Sequence, residues 1–173
     1  MTAMDGIEKA ALRDYLGKSW LTHDGMWFYN TALMAGIETA NRLNKAAIKS
    51  MAPLEMQRTR KLIGGLSAAP DFDEYLAFFR NALELVLPAS VGARFALGSP
   101  SRNLLRWEWA KGECFAFTGI RTAGFIDGYE CGVIYRIGCW LEALGVSFRI
   151  TPEIGKCMMH EKGFCAGEIE LLL

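Results

Sequence analysis

Cysteine is the residue type that most narrows the chemistry open to this chain. The five cysteines, an odd number, are Cys114, Cys131, Cys139, Cys157 and Cys165. They form no Cys-x-x-Cys pair, so the strongest zinc and iron–sulfur signatures are missing. Because the chain is predicted to be intracellular, we interpret the cysteines as free thiols, metal ligands or catalytic groups before disulfides.

Helix geometry separates two of these cysteines. Cys131 and Cys139 lie eight residues apart on one predicted helix, and the rise of the helix places them about 12 Å from each other. One metal ion cannot bind both. Cys131 is the better candidate for a catalytic nucleophile or a metal ligand, because it follows a predicted cap at Asp127 and a helix N-terminus lowers a thiol pKa. Cys139, beside Trp140, is predicted to be a buried apolar group.

The tightest group of soft ligands is Cys157, His160 and Cys165. A two-residue turn at 162–163 would place His160 opposite Cys165 in a hairpin, whereas a longer loop would bring Cys157 toward Cys165. With Cys131 as a further ligand, this set suits zinc or another thiophilic metal. The alternative is that the cysteines are ordinary buried thiols.

A second candidate site lies in the first half of the chain, between Trp20 and Phe28. Helical spacing puts Asp24, Trp27 and Phe28 on one face. Such a face can form a pocket wall in which Asp24 contacts a polar group of a ligand and His23 acts as an acid or base. The alternative is structural: Asp24 favours a helix N-terminus and the aromatic residues are core.

The longest predicted helix contributes a third candidate. Asn41, Glu55 and Arg58 recur at helical spacing together with apolar residues, and Glu55 and Arg58 are predicted to form an ion pair. Buried polar groups need partners. The stripe is therefore predicted to line a ligand pocket or to form a polar network, which can be internal or between two subunits.

The elements that position these residues change character near residue 88. Before it, helical periodicity predicts four helices, at about 7–21, 24–34, 37–63 and 71–87. Asp71 is a predicted N-cap, Gly64 a predicted stop, and Pro53 should kink or split the third helix.

After residue 88 the pattern predicts mainly strands. They fall at about 94–97, 104–109, 114–118, 146–150, 156–160 and 164–172. One helix at about 128–144 interrupts them, with a capping box formed by Asp127 and Glu130. The prediction is a single α+β domain over 1–173: a helical half, 1–88, packed on a mostly antiparallel sheet half, 89–173, with one inserted helix.

Composition excludes several classes of function. Lysine plus arginine and aspartate plus glutamate are equal at 19 each, which argues against general nucleic-acid binding. The segment Met1 to Ala11 lacks an apolar stretch typical of a signal peptide, and no run of residues is apolar enough for a membrane span. A cytoplasmic location is therefore expected. The apolar fraction of 51% exceeds what a core of this size needs and predicts an apolar ligand cavity or a homodimer interface.

Several motifs share the spacing of a known family. In the first half they are Trp20, His23-Asp24-Gly25, Trp27-Phe28, Gly36-Ile37-Glu38-Thr39-Ala40 and the helix with Glu55 and Arg58. In the second half they are Tyr129-Glu130-Cys131 and the pair Cys157 and Cys165. This pattern resembles an uncharacterised bacterial and archaeal family that is catalogued as a domain of unknown function.

The second half is also distantly similar to two other groups. One comprises proteins resembling amino-thiazoline-carboxylate hydrolases, and the other comprises vinyl-reductase-like ligand-binding domains. A likeness of fold does not transfer an activity.

Three hypotheses follow. The first is a binding or sensor protein for a small apolar or aromatic molecule, with a thiolate metal site beside it. The second is a hydrolase of a small cyclic substrate that uses Cys131 or a metal-bound water, with His23, Asp24 or His160 as proton carrier. The third is an interaction subunit that forms a dimer through the long helix.

Overall fold

A short 3-10 helix, Ala3–Gly6, precedes two helices of 27 residues each, α1 (Lys9–Ala35) and α2 (Ile37–Ile63). Gly36 alone joins them, with a φ of 84° that favours glycine. The computed structural model describes residues 3–173, and side chains from residue 5 onward. Residues 1 and 2 lie outside the described residues. They belong to the segment from Met1 to Ala11, which is predicted not to be a signal peptide.

The other elements complete an α+β fold. The remaining helices are α3 (Phe72–Val86), α4 (Ala89–Gly92), α5 (Phe115–Thr122), α6 (Gly132–Ala143) and α7 (Met158–Lys162). The strands are β1 (Phe95–Ser101), β2 (Leu104–Trp109), β3 (Phe148–Thr151) and β4 (Cys165–Leu171). All strand pairs are antiparallel, in the order β1–β2–β4–β3. The predicted fold class is confirmed.

One face of the sheet is buried by the helices. Leu105, Trp107 and Trp109 alternate with exposed residues along β2 and are all buried, as expected for a strand with one buried face. Gly167 lies opposite Trp107 in the register. A Cβ atom at Gly167 would come within 2.3 Å of the Trp107 ring, so this glycine lets the large indole pack closely against β4.

Helix α6 lies between the sheet and the pair α1–α2. On one side, a Cβ at Gly138 would be 3.3 Å from the Phe148 ring of β3. On the other side, Asn41 of α2 binds the segment that leads into α6. Its Nδ2 donates to the Gly128 carbonyl at 2.8 Å, and its Oδ1 accepts from the Glu130 amide at 3.0 Å.

The long helices confirm two predicted ends and correct two predicted breaks. Helix α2 begins after Gly36 and ends before Gly64, as predicted. The break expected between two helices before residue 24 is wrong, because α1 is continuous. Helix α2 is also not split at Pro53, so of the two predicted effects of this proline only the kink stays a prediction. In α3 the predicted Asp71 cap is confirmed, and Glu74 completes a capping box.

In the second half, two predicted strands are helices. Residues 114–118 fall in and before α5, and residues 156–160 fall in and before α7. The expected hairpin turn is therefore wrong, since Gly163 ends α7 in a left-handed conformation with φ 75°. The capping box at Asp127 is wrong too: Asp127 lies in a short 3-10 turn, Ile126–Gly128, and Cys131 is the N-cap of α6. Three helices, not one, lie between the strands.

Within residues 3–173, no helix has both the length and the apolar character needed to cross a membrane.

Candidate ligand-binding site

A cavity of about 250 Å³ lies between α1, α2, α3, α5, α6 and the ends of β1 and β2. Its walls are mostly apolar and aromatic, and include Phe28, Leu83, Phe115, Ile137 and Trp140. A cavity of 150 Å³ is enough for benzene, and drug-sized ligands take about 300 Å³ or more. This one suits a molecule of intermediate size.

The only cationic side chain that lines the cavity in the described chain is Arg136, and it already has a partner. Its guanidinium makes two hydrogen bonds to the Glu55 carboxylate, one of them at 3.1 Å. The Trp140 indole N–H donates to the same carboxylate at 2.5 Å. The guanidinium also lies 5.0 Å from the ring centre of Trp20. Arg136 is thus electrically neutralised and held in place.

Trp109 separates this cavity from a second one. Trp109 lines both cavities, and its ring contacts those of Phe95 and Phe115, whose centres are 4.9 and 5.8 Å away. Trp109 is only 3% exposed, and its indole N–H has no hydrogen-bond partner among the described residues. Tyr129 shares the dividing wall, and its hydroxyl oxygen accepts from the Gly132 amide at 3.1 Å.

The second cavity is rich in sulfur and very small, about 10 Å³. That is room for about one water molecule. The sulfur-bearing residues around it are Cys114, Cys131, Cys157, Cys165, Met158 and Met159. We call these six residues the sulfur cluster. The sequence prediction missed Cys114, because the segment that carries it was predicted to be a strand.

Burial keeps these thiols protonated. It raises the pKa of Cys114 to about 12 and that of Cys165 to about 11, and it also raises the pKa values of Cys131 and Cys157. The expectation of a lowered pKa at Cys131 is wrong, because loss of water around the thiol outweighs the backbone hydrogen bonds at the start of α6.

The predicted metal ligands come together only in part. Cys131, Cys157 and Cys165 line the same small cavity. His160 is exposed, and its Nε2 lies 2.9 Å from Asp127 Oδ1. Across the described residues, no three or more His, Cys, Asp or Glu side chains are placed to hold a metal ion.

The predicted constellation on α1 is divided between two sides of the helix. Asp24 and Phe28 line the large cavity. Trp27 is 66% exposed on the outer side, and its indole N–H donates to His23 Nε2 at 3.2 Å. The three residues predicted to be catalytic are therefore not brought together: Asp24 lines the large cavity, His23 lies on the outer surface, and Cys131 lines the sulfur cluster.

On α2 the three candidate residues have separate surroundings. Asn41 and Glu55 are buried and bind groups of the segment 128–140, while Arg58 is exposed. The predicted Glu55–Arg58 ion pair is wrong, because Glu55 pairs with Arg136 of α6. The sequence did not reveal Arg136 or Trp109 as residues of the site. The alternating aromatic residues of β2 were the only sequence signal for Trp109.

The chain matches no protein-family model, no curated protein and no solved structure. The resemblance to an uncharacterised family therefore stays a prediction.

Proposed function

We propose that this protein binds a small, neutral and largely apolar molecule in the cavity between α1, α3, α5 and α6. One observation carries the proposal: a cavity of about 250 Å³ with a mostly apolar wall is open to the surface of the domain. Pockets of this kind, with a few polar groups, are the usual sites for small molecules.

The charges at the cavity support a neutral ligand. Glu55 cancels the positive charge of Arg136. Asp24 lines the cavity but is exposed, so water solvates its carboxylate. An anionic ligand would lose its own water without gaining a free positive charge, and burial of an unpaired charge is costly. The ligand is therefore expected to be aromatic or aliphatic, about the size of two fused rings.

The test is a titration with a neutral fluorescent probe, N-phenyl-1-naphthylamine, against the protein and a variant with a filled cavity. Gly25 lines the cavity, and a Cβ added there meets no atom within 4 Å. Gly25→Leu should project into the cavity, and it should also favour the helix. We expect this variant to stay folded and to bind the probe about tenfold more weakly, the equivalent of one lost apolar contact.

Ser19→Leu is the matched control, because Ser19 is exposed on α1 and does not line the cavity. It should bind the probe as tightly as the unmodified protein. Equal binding by both variants would mean that the probe lies elsewhere, and the proposed site would be withdrawn.

The hydrolase alternative gains no support, since His23 and Asp24 are separated from Cys131 and the buried thiols are protonated.

The dimer alternative has one observation in its favour. The outer face of α1 exposes Tyr15, Leu16, Trp27, Leu33 and Met34. A helix that is apolar on both its inner and its outer side is typical of an element covered on both sides.

We infer that this outer face of α1 packs against a second copy of the chain. Sedimentation of the purified protein should then show a dimer, and Trp27→Glu should shift it to a monomer. Ser50→Glu, at an exposed position of α2, should leave the dimer intact. A monomer for the unmodified protein at micromolar concentration would rule this interface out.

A further inference from the structure

We propose that the side-chain amide of Asn44 selects a ligand that carries a carboxamide or lactam group. Such a group accepts one hydrogen bond from Asn44 Nδ2 and donates one to Asn44 Oδ1. Asn44 lies on α2 and lines the large cavity. The inference rests on the proposed function and adds the polar group that the bound molecule should carry.

Two asparagines that lie one turn apart on α2 have opposite surroundings. Both ends of the buried Asn41 amide bind peptide groups, through Nδ2 to the Gly128 carbonyl at 2.8 Å and through Oδ1 to the Glu130 amide at 3.0 Å. Asn44 makes no hydrogen bond to any described residue at either end of its amide. Because a partly buried amide needs partners, water or a ligand must supply those of Asn44.

The Asn44 nitrogen lies at the wall of the large cavity, beside the first turn of α6. The position that a Cβ atom on Gly132 would take is only 2.8 Å from Asn44 Nδ2. The next nearest atoms to that position are Ile48 Cδ1 at 3.2 Å and Tyr129 Oη at 3.5 Å. All four residues line the large cavity, and of these only Tyr129 also borders the second one. The surroundings of Nδ2 are therefore those of the large cavity.

Both polar atoms of Asn44 are accessible. Among the described residues that are not exposed, the side-chain nitrogen and oxygen atoms that are both unpaired and sealed from solvent belong to Arg13, Trp107 and Trp109. Asn44 is half-buried and unpaired, yet neither its Nδ2 nor its Oδ1 is among those atoms. A ligand in the cavity can therefore reach the Asn44 amide, whereas the Trp109 indole N–H is out of its reach.

Other polar groups of the cavity wall are already satisfied. Arg136 and the Trp140 indole N–H both bind Glu55. Asp24 is exposed, so water still solvates its carboxylate when the cavity is filled. A purely apolar ligand would displace the water at Asn44 and leave this amide unpaired, which is unfavourable. A carboxamide replaces that water with two hydrogen bonds and brings no charge into the cavity.

The experiment measures how well 1-naphthamide and 1-isopropylnaphthalene displace N-phenyl-1-naphthylamine. The two competitors have the same number of non-hydrogen atoms, and only the first can pair with an amide. The preference for 1-naphthamide should fall about tenfold in Asn44→Leu, the equivalent of about 1.4 kcal/mol. Asn81→Leu is the matched control, because Asn81 is exposed on α3 and lines neither cavity. It should leave the preference unchanged.

An NMR measurement on the unmodified protein tests the same bonds without relying on a variant that folds. The side-chain NH₂ protons of Asn44 should resonate further downfield with 1-naphthamide than with 1-isopropylnaphthalene. An equal preference in Asn44→Leu and the unmodified protein, or equal Asn44 resonances with the two ligands, would overturn the inference and leave apolar binding intact. Failure of both compounds to displace the probe would overturn the proposed function itself.

Discussion

Replacement of Glu55 by glutamine should destabilise the protein by about 3 kcal/mol. Glu55 accepts three hydrogen bonds, two from Arg136 and one from Trp140. Its side chain is 10% exposed and that of Arg136 is 22% exposed. Loss of one partner of a buried ion pair costs about 3–5 kcal/mol. We take the lower end because the arginine keeps some water and the amide can still accept one bond.

The measurement is urea unfolding, with the slope of the transition checked so that a shift of midpoint reports stability. At about 2–4 °C per kcal/mol for a domain of this size, the melting temperature should fall by about 6–12 °C. Arg58→Gln is the matched control. Arg58 is one helical turn from Glu55 but exposed, so its loss should cost no more than about 0.5 kcal/mol.

A double-mutant cycle measures the interaction energy between Glu55 and Arg136. Glu55→Gln combined with Arg136→Gln should cost less than the sum of the two single changes, because the second change removes a charge that the first left unpaired. If Arg58→Gln proves as damaging as Glu55→Gln, or if the cycle shows no coupling, the assignment of Arg136 as the partner of Glu55 is refuted.

Two further predictions follow from the pKa shifts. At pH 8 the native thiols should react slowly with a disulfide reagent. At Cys165 the pKa rises from the ordinary 9.0 to about 11, and this leaves about 100-fold less thiolate than an ordinary cysteine has at that pH. Rapid reaction of the native protein would contradict the burial of these thiols. Glu74 should contribute to acid stability, because bonds from Ser67 and the Asp71 amide lower its pKa below 4.5. That contribution to the free energy of unfolding is complete above pH 4.5 and is lost as the pH falls through the lowered pKa of Glu74. Glu74→Gln should therefore make the stability fall less steeply with pH in the acid range. An unchanged pH dependence would count against this role of Glu74.

Short sequence signals correctly predicted the helices and strands whose ends they mark. Gly36 and Gly64 both adopt positive φ and bound α2 as expected. Alternation of apolar residues gave β2 with its observed ends, and the Asp71 cap placed α3. Each of these depends on contacts within a few residues, which a single sequence contains.

The predictions from sequence failed where contacts between residues far apart in the chain determine the structure. The segments around Cys114 and Cys157 carry apolar runs that fit a strand as well as a short helix, and burial against α6 and the sheet selects the helix. Glu55 has a partner at helical spacing in Arg58 and a better one in Arg136, 81 residues away. The large cavity is a gap between seven elements, so no local pattern could reveal it.

The strand order determines when the sheet can form during synthesis. Strand β4 follows the other strands in the chain, yet it lies between β2 and β3. The β1–β2 hairpin can form once residue 109 has left the ribosome, but β3 has no other partner strand in the described sheet and must wait for residues 165–171. Until then β2 has an open edge, and such edges invite aggregation. A chain that stalls before residue 165 should therefore be a substrate for chaperones and proteases rather than a partly functional protein.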